Sequence, residues 1–228
     1  MVLDAIIENA YIPLYGITVA VALFRYRKYF YTPLKYLPIL FAYTFFNELL
    51  GFLILNNEEF SLFANDRYSF YNMVIYNIYS IFFYLYFLYL YWCYLENTKA
   101  RTFIRYSAIL FLLVVFINPL FQDFMMRSQL YSYLLGGFLL IICSILYLIQ
   151  LRDPARTFSV SRDLLFWLSL GLLIFYLGYL PIKIIRHSSI INDMEIAIIV
   201  RRIHLSLIVI MYSCFIIGFL RMRRRLSK

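Results

Sequence analysis

Glu48 is the residue whose position most needs a chemical reason. It lies in Tyr43-Thr44-Phe45-Phe46-Asn47-Glu48-Leu49-Leu50-Gly51, inside an apolar stretch, and a carboxylate at mid-bilayer costs about 2.5 to 3.5 kcal/mol on insertion scales. A carboxylate held there can pair with a cation, hydrogen-bond a ligand or exchange a proton. On a helix, Thr44 falls one turn before Glu48 on the same face, Tyr43 and Asn47 form an adjacent i, i+4 pair, and Gly51 lets a neighbouring helix approach. The expected counter-charges are Arg201, Arg202 and His204, since Arg201 and His204 are three apart and share a helix face. An ion pair or charge-assisted hydrogen bond from Glu48 to one of them explains how an apolar environment tolerates all four.

Other polar residues fall at the same depth: Glu8, Asn9 and Tyr11 in the first apolar segment, Asn72, Tyr76, Asn77 and Tyr79 in the third, Asn118 in the fourth, and Tyr176 and Tyr179 in the sixth. Together they predict a polar pocket open to one side of a membrane, with Glu48, Asn47, Tyr43, Asn77, Tyr76, Arg201, Arg202 and His204 as ligand-binding or ion-pair candidates. The competing reading is packing. Interhelical hydrogen bonds in membranes average about 0.6 kcal/mol, enough to make Asn and Tyr useful between helices without a ligand.

These residues need elements to hold them, and composition names the class. Of 228 residues, 64% are hydrophobic with tyrosine counted and 14% are charged, against about 25% charged in soluble domains. A helix of about 20 apolar residues crosses a bilayer. Seven segments pass that test, near Ala5 to Phe24, Pro33 to Leu55, Phe70 to Trp92, Phe103 to Phe121, Leu130 to Gln150, Leu164 to Ile182 and Ile198 to Leu220. The expected fold is all-α, a polytopic seven-helix membrane bundle forming one domain, with six or eight spans as alternatives. The connectors are too short for a folded soluble domain.

Several boundaries carry local signals. Thr32-Pro33 reads as an N-cap followed by proline at the first helical position. Asn118-Pro119 marks the end of the fourth span. Asn192 to Glu195 fits a capping box, so that the seventh helix starts outside the bilayer and runs about 28 residues. The stretch from Lys183 to Ala197 is expected as a loop, with a surface helix as the alternative. The first segment carries Asp4 and Glu8 in place of a basic leader, so it is expected to remain as a span and not to be cleaved as a signal peptide.

Connectors one, three and five and the C-terminal tail hold 15 of the 21 Lys and Arg residues. The excess of basic residues on cytosolic loops therefore predicts the N-terminus outside and the C-terminus in the cytosol of a plasma or bacterial inner membrane. Trp92 and Trp167 fall at the predicted cytosolic ends, where indole rings favour the interface. The net charge of +9 is thereby explained by orientation and does not indicate nucleic acid, which these short loops present no helix or platform to read. Arg221, Arg223, Arg224 and Arg225 are expected to touch anionic lipid, or an acidic cytosolic partner.

No metal or other cofactor is expected. Cys93, Cys143 and Cys214 lie on separate helices without a CxxC pair and read as packing residues. His204 stands alone in a span, and Ile198 to Leu220 offers no Lys for a retinal Schiff base. The leading functional expectation is a receptor-like or regulatory membrane protein that signals through a separate cytosolic or membrane effector. A transporter of neutral or aromatic solutes is the alternative, with Pro38, Pro181, Gly171 and Gly178 available to break spans two and six. An intramembrane enzyme using Glu48 and His204 as acid and base stands third, without a nucleophile or metal set to define a reaction.

Overall fold

The computed structural model describes residues 2–56, 73–152, 160–187 and 194–222. The described residues form seven α-helices and short 3-10 turns, with no strand among them: α1 (Val2–Phe24), α2 (Leu37–Asn56), α3 (Met73–Tyr94), α4 (Thr98–Ile117), α5 (Leu130–Gln150), α6 (Leu164–His187) and α7 (Met194–Arg221). Six stretches are long and apolar enough to cross a membrane, from Pro33–Ile54 to Glu195–Arg221, and α1 adds a shorter apolar stretch, Tyr11–Phe24.

Local chemistry accounts for the helix ends. Thr32 is the expected cap: its Oγ1 accepts from Leu34 N at 3.3 Å, and Pro33 opens the 3-10 turn that leads into α2. Pro38 falls at the second position of α2, where it breaks nothing. The α-helix of the fourth span ends at Ile117, and Asn118-Pro119-Leu120 continues it as one 3-10 turn. The start of α4 departs from expectation by five residues. Asn97 caps it, its Oδ1 accepting from Lys99 N at 2.8 Å and Ala100 N at 3.3 Å, so the helix begins among basic residues that hydropathy alone excludes. At α6, Asp163 Oδ1 accepts from Leu165 N at 2.9 Å, and Oδ2 accepts from the Tyr147 hydroxyl at 2.7 Å.

The helices α1, α2, α3, α5, α6 and α7 form a closed ring in that order, α7 returning to α1, while α4 leans from outside on α3 and α5. Tyr15 of α1 meets Tyr212 of α7 edge to face at 4.5 Å between centroids. Glycines set the closest approaches. A Cβ at Gly171 would lie 2.9 Å from the Met211 carbonyl oxygen, one at Gly178 2.7 Å from Leu207, and one at Gly218 2.7 Å from Trp167. Those positions zip α6 to α7, so Gly171 and Gly178 act as contact points and not as breaks: α6 runs unbroken through both and through Pro181. Gly136 similarly receives the Tyr84 ring, joining α5 to α3.

Outward faces are apolar. Phe24, Phe116 and Leu120 are 76–82% exposed, an arrangement that water-soluble surfaces avoid at this scale and that acyl chains accommodate. One end of the bundle is basic, carrying Arg25, Arg27, Lys28, Lys99, Arg101, Arg152 and Arg221. There Arg25 Nη2 donates to Leu220 O at 2.8 Å and Lys28 Nζ to Met222 O at 3.4 Å, cations on the free carbonyls of a helix C-terminus. Both tryptophans lie at this end under guanidinium groups, Trp92 under Arg101 at 4.9 Å and Trp167 under Arg221 at 5.5 Å.

Candidate functional site

At the end opposite the basic one, the ring encloses an ionisable and aromatic cluster. The buried face of α2 presents Leu37, Leu40, Phe41, Thr44, Asn47, Gly51 and Ile54, and Glu48 sits half-buried at its margin. Its carboxylate lies within hydrogen-bonding reach of the Tyr76 hydroxyl of α3. One turn along α3, the Tyr79 hydroxyl lies 2.6 Å from Thr44 Oγ1. Thr44 gives its own proton to Leu40 O at 3.0 Å, so Tyr79 is the donor in that contact. Tyr212 of α7 stands beside the same pair.

The other half of the cluster comes from α5, α6 and α7. The His204 imidazole lies flat on the Tyr179 ring at 4.1 Å, and Tyr179 in turn stacks on Phe175 at 5.2 Å and meets Tyr133 edge-on at 5.8 Å. Lys183 extends the group. Its ammonium donates to Ser128 Oγ at 2.8 Å and lies over the Tyr133 ring at 4.8 Å. Lys183 was expected in a loop; it is helical because α6 continues to His187, five residues beyond the end of its apolar run.

The residues singled out from sequence therefore separate into three groups. Glu48 and Tyr76 meet directly, Tyr43 packs edge-on against Tyr79 at 5.2 Å, and Asn47 is buried with its Oδ1 lacking a hydrogen-bond partner. His204 faces the interior, on Tyr179. Arg201 and Arg202 are exposed on α7, and the donor beside the carboxylate is the neutral hydroxyl of Tyr76. Burying a guanidinium needs a full set of acceptors, whereas a phenol needs one. Tyr11 of α1 is near both Glu48 and Arg201.

Asn77 is used differently. Its Nδ2 donates to Phe124 O at 2.8 Å and Arg127 O at 2.9 Å, and its Oδ1 accepts from Gln129 N at 3.2 Å. The whole amide is thus engaged in holding the α4–α5 connector down on α3. Asn118 joins the same region, its Nδ2 donating to Ser132 Oγ at 3.1 Å. Asn72 and the capping-box residue Asn192 lie outside the described residues, as do Arg223, Arg224 and Arg225; the side chains of Glu8 and Asn9 do as well.

Hydroxyls continue from this cluster toward the basic end. Tyr84 of α3 donates to Tyr133 O of α5 at 3.2 Å. Further on, Tyr91 lies 2.8 Å from Ser144 Oγ and donates to Ser169 Oγ at 3.0 Å, tying α3, α5 and α6 at one point. The Tyr147 to Asp163 bond completes the series. Sequence reasoning passed over Ser144, Ser169 and Asp163. Asp163 had a signal, an acidic residue directly before an apolar run; the serines had none.

Among the described residues no three His, Cys, Asp or Glu side chains come together. Two surface grooves of about 300 and 310 Å³ flank α4, and neither includes Glu48. Comparison with known protein families, with curated proteins and with solved structures finds no match.

Proposed function

We propose that this chain is a receptor-like or regulatory protein of a cell membrane, inserted through seven helices with the N-terminus outside and the basic end in the cytosol. Insertion is supported by the apolar outward faces, and orientation by the collection of lysines, arginines and both tryptophans at one end. On this reading the Glu48, Tyr76, His204 and Tyr179 cluster is reached from outside and senses a small molecule or the extracellular part of a partner. The cytosolic connectors and the tail from Arg221 to Arg225 contact a separate effector.

The observation that carries the reading is the series of interhelical hydroxyl contacts, from Thr44–Tyr79 through Tyr91–Ser144–Ser169 to Tyr147–Asp163. It couples helices that meet at the Glu48 cluster to helix ends at the basic face. Two packings of such a bundle differ by which of these contacts are made, and a ligand favouring one of them shifts the balance. The unbroken α6 and α2 lack the discontinuous helices on which midplane transport sites are commonly built.

The test is a thermal-shift screen of the detergent-purified chain against amines, amino acids and aromatic solutes, followed by pull-down of cytosolic proteins with and without the stabilising compound. A compound that raises Tm in the native chain but not in Tyr76→Phe, and that changes the retained effector, supports the proposal. Solute uptake into proteoliposomes without any ligand-dependent partner would replace it with transport.

A further inference from the structure

α4 stands outside the ring, and on the side where it leans on α3 it leaves a groove of about 310 Å³. Leu85, Leu88, Ile104, Ala108, Ile109 and Leu112 make its walls apolar, and Tyr89, Trp92 and Arg105 lie toward the basic end. From Arg105 to Leu112 the groove follows α4 for about 10 Å at 1.5 Å per residue. Arg101, one turn before Arg105, is already engaged: its Nε donates to Trp92 O at 3.1 Å and its guanidinium covers the Trp92 ring. Arg105 is exposed, and the lining contains no acidic residue.

We propose that this groove holds one acyl chain of an anionic phospholipid, its phosphate on Arg105 and its first methylenes between Tyr89 and Ile104. The chemistry is that of a headgroup anion joined to a hydrocarbon tail. A free phosphate satisfies Arg105 but leaves the apolar walls open, and a zwitterionic lipid fills the walls while placing an ammonium near the guanidinium. This inference rests on the membrane insertion proposed above and on no property of the Glu48 cluster. Indole and tyrosine at the groove mouth suit the depth of the headgroup region.

The experiment reconstitutes the chain into mixed phosphatidylglycerol and phosphatidylcholine nanodiscs, extracts it gently and counts retained lipids by native mass spectrometry. Preferential retention of one phosphatidylglycerol is expected. Arg105→Gln should lower that retention by about fivefold, the worth of one basic residue at an anionic surface. Ala108→Leu, which fills the groove, should lower it as well, while Arg152→Gln at the same end should not. Equal retention of both lipids, unchanged retention in Arg105→Gln, or full displacement by inorganic phosphate overturns the proposal. If Ala108→Leu fails to fold, Arg105→Gln at its exposed site still decides. A chain that stays soluble without detergent counts instead against insertion itself, so the two failures are distinguishable.

Discussion

His204 of α7 lies against Tyr179 of α6 with ring centroids 4.1 Å apart and planes 18° from parallel. The two rings close the interior between helices that are otherwise zipped by glycine. Stacked aromatic pairs contribute about 0.5–1.5 kcal/mol beyond their burial. His204→Phe should therefore keep most of the stability, whereas His204→Ala should lower it by about 2–4 kcal/mol through lost stacking and a cavity. Urea or thermal unfolding in detergent reads the difference; equal losses in both variants would mean that the imidazole nitrogens, and not the ring face, carry the interaction.

Glu48 and Tyr76 yield a prediction of unequal losses for two variants. Gln at position 48 retains an oxygen that can accept from Tyr76, so Glu48→Gln should leave stability within about 1 kcal/mol. Tyr76→Phe removes the donor from a half-buried carboxylate and should cost about 1–3 kcal/mol. A large loss in Glu48→Gln, reversed by removing Arg201, would instead reinstate the ion pair expected from sequence.

Asn77 should prove a structural residue of the α4–α5 connector. Asn77→Ala leaves Phe124 O and Gln129 N without their partner and Arg127 O with only the 3.5 Å contact from Gln129 Nε2, and its cost should be about 1–3 kcal/mol. Limited proteolysis should show new cleavage between residues 123 and 128. A stable, protease-resistant Asn77→Ala would leave the residue free for a ligand role.

The two α6 glycines of the α6–α7 seam, Gly171 and Gly178, should respond unequally. At Gly171 a new methyl meets the Met211 carbonyl, which belongs to a helix backbone, and at Gly178 it meets the end of the Leu207 side chain. Gly171→Ala is expected to cost about 1–3 kcal/mol and Gly178→Ala less, since a leucine can change rotamer. Comparing their Tm values in one detergent checks the order.

Much of this fold was legible because hydropathy and capping chemistry are local. Thr32-Pro33, Asn118-Pro119 and the 28-residue length of α7 all follow from a few adjacent residues. Helix ends differ from expectation where charge begins: Lys99 to Thr102 and Lys183 to His187 are helical, and a hydropathy criterion cannot see a helix that continues past its apolar run. The depth of the polar cluster was also readable, since Glu48, Tyr76, Tyr179 and His204 come within one layer. Partners were not. Whether Glu48 faces Tyr76 or Arg201 depends on the rotation of α3 and α7 about their axes, and α7 carries apolar residues on every side, so its pattern does not reveal which face turns inward. Lys183 was missed for the related reason that Ser128 and Tyr133 reach it from a different helix and a connector.

The grip of Arg25 on the carbonyl of Leu220 has a consequence for biosynthesis. The two residues are 195 positions apart, and α1 meets α7 directly through Tyr15 and Tyr212. At 5–20 residues per second, roughly 10–40 s pass between the emergence of the first helix and the last. Throughout that interval the inward face of α1, with Tyr15, Thr18 and Ala22, has only one of its two ring neighbours. The nascent chain is an open arc, and ring closure waits for its final helix, so truncation before α7 removes one of the two ring neighbours of both α1 and α6 at once.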